Sequence, residues 1–258
     1  MTDANDKWVD AASDVNLRRD EVHAWRMHLD VPRCRLPSLT RMLSIDERHR
    51  AGRFRFERDR ARFIARHGLL RTILGRYVDL PAGRLRFRSN AFGKPALACG
   101  RGAGDLTFNL SHSDGIGVLA VACNRALGID TERMVSALAS EEVASAFFSR
   151  SESQALRELP AALRAEAFFH CWTCKEAYVK AIGEGLSFPL ARFVVSVDPG
   201  KPPRLIGNEI SACETERWSF RALAVHDAYK AALVVEGHDW HLKCLQWPGQ
   251  YRAEEAVQ

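Results

Sequence analysis

Ala165-Glu166-Ala167-Phe168-Phe169-His170-Cys171-Trp172-Thr173-Cys174-Lys175-Glu176-Ala177-Tyr178-Val179-Lys180-Ala181-Ile182 reads as a helix, and the elements after it repeat an order already met upstream. Downstream come Phe193-Val194-Val195-Ser196-Val197, a turn with Gly200-Lys201-Pro202, and two apolar runs, Trp218 to Val225 and Ala231 to Val235, that read as hairpin strands. Upstream, Phe63, Ile64, Leu69, Leu70, Ile73 and Leu74 predict an amphipathic helix over 58–78, ended by the Asp79-Leu80-Pro81 turn. Leu85-Arg86-Phe87-Arg88 then alternates like a strand, and Ser89 to Pro95 is a turn holding Gly93-Lys94-Pro95. Leu106 to Leu110 reads as a strand, Ser111 to Gly115 as a polar turn, and Ile116 to Ala122 and Leu127 to Ile129 as strands joined at Cys123-Asn124-Arg125 in a hairpin.

The two Gly-Lys-Pro turns stand 107 positions apart, and the two helices are offset by about the same amount. The prediction is an α+β chain built as a pseudo-twofold duplication of two similar halves, 21–125 and 126–240. Residues 1–20 are expected to be a mobile tail and 241–258 a C-terminal extension.

Composition sets the frame. The 258 residues are 47% apolar and 27% charged, enough for a substantial core. The polar N-terminus lacks a signal-peptide profile, and no segment has an apolar run long enough to span a bilayer, so a soluble, cytoplasmic protein with no membrane partner is expected. Seven irregularly spaced cysteines do not make a disulfide framework. Cys171-x-x-Cys174 lies inside the helix, with no second pair to complete a zinc site.

The net charge of +5 points to anionic partners. Residues 41–71 carry ten arginines against four acids, interleaved with Phe54, Phe56 and Phe63. One reading of that cluster is a non-catalytic nucleic-acid-binding module. It leaves Asp130, Glu132 and Glu176 unexplained, because without a metal those acids repel a phosphate backbone.

Asp130 and Glu132 are two apart in Leu127-Gly128-Ile129-Asp130-Thr131-Glu132, so a strand puts both carboxylates on one face. A hard cation such as Mg²⁺ would relieve their repulsion, while an exposed strand end is the plainer reading. On the helix, taking Phe168 as zero and ~100° per residue, Trp172 falls near ~40°, Val179 near ~20° and Ile182 near ~−40°, which defines an apolar stripe. Lys175 near ~−20° and Glu176 near ~80° lie within or beside it, where charge is costly unless paired, ligated or at a site. A Glu176–Lys180 i,i+4 pair on a solvated face is the competing account.

These residues resemble a known family. Phosphopantetheinyl transferases of the Sfp type carry Gly-Ile/Val-Asp-x-Glu followed some 40 residues later by Trp-x-x-Lys-Glu-Ala-x-x-Lys, here Gly128 to Glu132 and Trp172 to Lys180. The Arg50 region before Arg53-Phe54, the Gly93-Lys94-Pro95 turn and Asn109-Leu110-Ser111-His112-Ser113 complete a similarity running over residues 40–236. It implies a pseudodimer with the active site between halves and an Mg²⁺-dependent enzyme of the holo-[acyl-carrier-protein] synthase type. That activity moves 4′-phosphopantetheine from coenzyme A to a serine of an acyl- or peptidyl-carrier protein in fatty-acid, polyketide or nonribosomal peptide synthesis.

The resemblance further implies Asp130, Glu132 and Glu176 as Mg²⁺ ligands, and Glu176 and Lys180 as the catalytic pair. Glu176 is expected to take the serine proton directly or through water. Arg50, Lys94, Asn109, Ser111 and His112, with Asp130, Glu176 and Lys180, are expected around coenzyme A. The protein is expected to act as a monomer without nucleic acid.

Overall fold

The computed structural model describes residues 7–12, 15–98, 100, 104–185, 188–209, 211 and 213–248. Two units of the same build succeed one another along the chain. The first contains β2 (Glu21–His28), helices α1 (Leu36–Met42), α2 (Ile45–Ala51) and α3 (Glu57–Tyr77), the small pair β3 (Phe87–Ser89) and β4 (Pro95–Leu97), and the hairpin β5 (Leu106–Ser113) and β6 (Ile116–Cys123). The second contains β7 (Leu127–Arg133), helices α4 (Glu141–Phe147), α5 (Arg150–Glu158) and α6 (Ala161–Ile182), the small pair β8 (Phe193–Val195) and β9 (Leu205–Asn208), a short helix α7 (Glu214–Arg217), and the hairpin β10 (Trp218–Ala222) and β11 (Tyr229–Glu236). The sheets run β2-β6-β5 and β7-β11-β10, so the strand order is duplicated along with the element order.

Alternation along the strands explains how these units stack. In β6, Leu119 and Val121 join the core under α3 with Leu69, Leu70, Ile73 and Leu74. Its other face, Ile116, Val118, Ala120 and Ala122, meets Leu127, Ile129, Leu233 and Val235 of the second sheet. Across that sheet, Ala232 and Val234 pack against Phe168, Cys171 and Tyr178 of α6. The order of layers is helix, sheet, sheet, helix, which buries both faces of each sheet.

The structure corrects three expectations about connections. Cys123 to Arg125 is not a hairpin: β6 pairs with β2 on one side and β5 on the other, and β7 pairs with β11 in the second sheet. Both backbone edges of β6 are taken, so the chain crosses to the other sheet, turning at Asn124 with φ 47°. Ser111, His112 and Ser113 are not a turn but the end of β5, and only Asp114-Gly115 connects to β6.

The third correction concerns both ends of the chain. β12 (His241–Gln246) lies parallel to β2 and extends the first sheet. β1 (Val9–Asp10), in the expected tail, lies parallel to β12, and the Trp8 indole donates to the Ala224 carbonyl at 2.7 Å. Unpaired backbone on β2 and β12 is satisfied by these additions.

Candidate functional site

Helix α6 shows why one apolar stripe is an incomplete reading. Between Ala167 and Ala181 every residue is buried except Trp172, Glu176 and Lys180, which succeed one another at i, i+4, i+8. Glu176 therefore sits on the helix's one open line, not on its core face. Lys175 is the residue on the core stripe, wholly buried, with its ammonium 2.8 Å from Glu152 and donating to the carbonyls of Leu190 (2.8 Å) and Phe193 (2.7 Å). All three of its donors are used, which makes it a structural tie. Cys171 and Cys174 are fully buried thiols whose pKa values burial pushes up, so neither is a reactive pair.

The open line of α6 faces the seam between the sheets. Here β7 approaches the helix so closely that a Cβ on Gly128 would lie 2.1 Å from the Ala177 carbonyl oxygen, and only glycine fits. β5 and β7 belong to different sheets, and side chains on alternate β5 residues bridge them. Asn109 Oδ1 accepts from the Ile129 amide at 2.9 Å, Ser111 Oγ donates to Asp130 Oδ1 at 2.7 Å, and Ser113 Oγ donates to Glu132 Oε2 at 2.7 Å. The period of two that faces Asn109, Ser111 and Ser113 to one side also brings the two acids of β7 to the same seam.

Lys180 Nζ lies 2.6 Å from Asp130 Oδ1 and 3.0 Å from Ser111 Oγ. No ion pair among the described residues joins it to Glu176, so the i,i+4 reading is set aside. Burial, together with the charges of Asp130 and Glu132 and against that of Lys180, raises the Glu176 pKa to about 7. Glu132 is also raised, first by burial and then by Asp130, against the Ser113 hydrogen bond and Lys180. Asp130 is 2% exposed, and its Oδ2 has no hydrogen-bond partner among the described residues.

An orphaned buried carboxylate oxygen next to two acids with raised pKa values is a donor set that fits a hard divalent cation. As the side chains lie, among the described residues no three His, Cys, Asp or Glu groups are gathered closely enough to hold a metal ion.

A cationic wall adjoins the acids. The Arg66 guanidinium, which the motifs did not single out, contacts His112 Nε2. Arg50, Arg66 and His67 gather on the ring of Phe63, at 5.7, 5.5 and 4.0 Å. His112 is solvent-exposed on one edge. The atoms packed beneath it and the charges of Arg66, Lys180 and His67 push its pKa down to about 4, so at neutral pH it is a neutral ring. Burial and Arg50 likewise bring Arg66 down to about 10. Burial lowers Lys94 to about 8, and its Nζ donates to the carbonyls of Leu127 (2.9 Å) and Ala181 (3.2 Å). Lys94 thus stands at the far end of the β7–α6 contact from Asp130 and ties the first half's turn to the second half, beside a cleft of about 430 Å³ lined by Arg88, Ser89, Asn90 and Thr107.

The structure therefore brings Ser111, His112, Asp130, Glu132, Glu176 and Lys180 together, with Asn109 bracing the seam, Arg50 on the cationic wall, and Lys94 apart from the acids. Arg66 and Ser113 are the functional candidates that sequence reasoning misses. Arg66 is one of ten arginines with nothing to mark it, whereas the Asn109-x-Ser111-x-Ser113 alternation holds a legible signal once read as a strand.

Comparison with known proteins gives concordant results. A family model described as "4'-phosphopantetheinyl transferase superfamily" matches residues 126–234, and one described as "4'-phosphopantetheinyl transferase, N-terminal" matches residues 32–124. The chain is 38% identical over 236 residues to the 4′-phosphopantetheinyl transferase HetI of Nostoc sp., covering 92% of this chain and 96% of the relative. To the 4′-phosphopantetheinyl transferase Sfp of Bacillus subtilis it is 33% identical over 153 residues, covering 59% and 66%. Among solved structures, a holo-(acyl-carrier-protein) synthase from Bacillus anthracis in complex with CoA (3′,5′-ADP) matches with a TM-score of 0.36 and 22% identity, covering 44% of this chain and 96% of that one.

Proposed function

Because the chain belongs to the 4′-phosphopantetheinyl transferase superfamily, we propose that it transfers the 4′-phosphopantetheine arm of coenzyme A to a serine hydroxyl of an acyl- or peptidyl-carrier protein and releases 3′,5′-ADP. The observation that carries this reading is the seam itself. Two strands and one helix bring three acids and Lys180 to one place, with Asp130 Oδ2 buried and without a hydrogen-bond partner among the described residues.

In the reaction the serine Oγ attacks the phosphorus bearing the pantetheine arm, and the bond from that phosphorus to the bridging oxygen of the departing 3′,5′-ADP breaks. Glu176 takes the serine proton. It stands on the open line of α6 beside Asp130 and Glu132, and accepts the proton directly or through water. Arg50, Arg66 and Lys180 supply positive charge for the phosphates, and neutral His112 offers a ring N–H. Asp130 Oδ2, Glu132 and Glu176 would hold Mg²⁺, which when bound neutralises charge on the phosphoryl oxygens and the leaving group. The residues of this site all lie within one chain, which supports a monomer as the working unit.

The arginines of 41–71 are largely accounted for without nucleic acid. Arg71 pairs with Glu47, Arg62 with Asp30 and Asp114, Arg60 with Glu57 and Arg58 with Asp59, while Arg66 and Arg50 face the site. No helix among the described residues is long and apolar enough to cross a membrane. Among the described residues, Cys34, Cys123, Cys171, Cys174 and Cys213 are in no disulfide, which supports a reducing compartment such as the cytoplasm.

The test is incubation of the protein with coenzyme A, Mg²⁺ and a panel of apo-carriers, read by intact mass. The expected result is one phosphopantetheine adduct on the carrier serine, lost in Asp130→Ala. Unmodified carriers across the panel, under conditions where a known transferase modifies them, would overturn the assignment.

A further inference from the structure

Glu132 is held differently from its neighbour Asp130. Asp130 Oδ1 is shared by Ser111 and Lys180, two groups on different elements. Glu132 Oε2 takes its hydrogen bond from Ser113 Oγ at 2.7 Å, and the same hydroxyl oxygen accepts from the Arg133 amide at 3.1 Å. Ser113 therefore has both its donor and an acceptor position committed to β7, one to the side chain of Glu132 and one to the backbone next to it.

Ser113 is itself fixed by its surroundings. It is the last residue of β5, paired across the ladder with Ile116. The adjoining turn is pinned by Asp114, whose carboxylate meets the Arg62 guanidinium and, at 2.7 Å, that of Arg133. Arg62 in turn grips Asp30 with two bonds of 2.7 Å. The Ser113 hydroxyl is thus bonded twice to β7, and the turn next to it is tied through Asp114 to Arg62 of α3 and on to Asp30 just beyond β2.

We propose that Ser113 is a positioning residue for Glu132, fixing one carboxylate oxygen so that the other is presented on the same side of the seam as Asp130 Oδ2, where a divalent cation can take both. The proposal rests on the reading of Asp130, Glu132 and Glu176 as a metal site. A glutamate has three side-chain torsions to order, and fixing it before the cation arrives removes part of the entropic cost of ligation. Outer hydrogen bonds to metal ligands typically change affinity by ~10–100-fold when removed. The geometry also separates this role from simple bracing of the sheets, because bracing is shared with Asn109 and Ser111 while Glu132 is held from β5 by Ser113.

The test is calorimetric titration of Mg²⁺ into the protein saturated with coenzyme A and free of carrier, for the wild type, Ser113→Ala and Ser113→Thr. Ser113→Ala is expected to weaken Mg²⁺ binding by ~10-fold or more. Its coenzyme A affinity in chelator, with no Mg²⁺ present, should stay within twofold of the wild type. Ser113→Thr keeps the hydroxyl on a strand residue and should restore Mg²⁺ affinity. Equal Mg²⁺ affinity in the wild type and Ser113→Ala overturns the proposal, as does Ser113→Thr being as weak as Ser113→Ala. A loss of coenzyme A affinity in chelator matching the loss for Mg²⁺ shows a bracing role only, and also overturns it. Absence of Mg²⁺ binding by the wild type removes the metal reading, and the proposal with it.

Discussion

At the scale of single residues, Glu176 is where stability and function oppose each other. Its pKa is raised from 4.5 to about 7 by burial and by Asp130 and Glu132. A group whose folded pKa is raised contributes its stability below the unfolded value and loses it as pH climbs through the folded value. The carboxylate should therefore weaken the apo-protein increasingly between pH 4.5 and 7, and most of all above that range. Glu176→Gln is expected to melt higher than the wild type at pH 8, with a smaller gain at pH 5, while carrier modification falls by ~10²–10⁴-fold through loss of the base. Melting curves at the two pH values and a mass-spectrometric rate check both halves. A variant that modifies carrier at near wild-type speed takes Glu176 out of the chemistry.

At the scale of elements, the packing of α6 depends on a buried charge pair. Glu152 opens α5 in a capping box with Ser149, accepts from the Val195 amide at 2.8 Å, and meets Lys175 at 2.8 Å. Helix α5, helix α6 and strand β8 are joined at that point with both charges at zero exposure. Removing one partner strands the other charge, so Lys175→Met should destabilise by ~3–5 kcal/mol, and adding Glu152→Leu should recover part of it. The measurement is urea unfolding of the two variants. A loss under about 1 kcal/mol for Lys175→Met would place it with the exposed pairs. A helical-wheel angle puts Lys175 on the core stripe correctly, but its partner lies on a helix with no local sequence link to it.

At the scale of the whole molecule, the last described strand closes the sheet in which the chain begins. β12 covers β2 in register from His241↔Glu21 to Gln246↔Arg26, and buries Cys244 and Leu245 to 2% and 4% exposure. A chain ending at Trp240 leaves an open edge on β2 and uncovers the core around Trp25. Losing two buried side chains and a full ladder should lower Tm by roughly 10 °C or more. Scanning calorimetry decides it, and a truncated protein melting with the full-length one would make β12 an ornament. Sequence alone makes 241–258 an extension, because local alternation shows that a strand exists but not which edge it will pair with.

The sequence by itself determined the elements and their duplicated order. Periodicity placed α3 and α6 within a few residues, the repeated Gly-Lys-Pro turns marked the two halves, and the i,i+2 spacing of Asp130 and Glu132 fixed them to one face of a strand. These are short-range properties of backbone geometry, and a single sequence carries them. Only the tertiary structure decided what lies across the seam. It crosses the chain from β6 to the second sheet, turns Glu176 to the open line of α6, puts Lys180 on Asp130, and draws Arg66 to His112 and Ser113 to Glu132. Those contacts join residues 19 to 50 positions apart, and which polar groups meet there is set by the burial of apolar faces on either side, which no local pattern records.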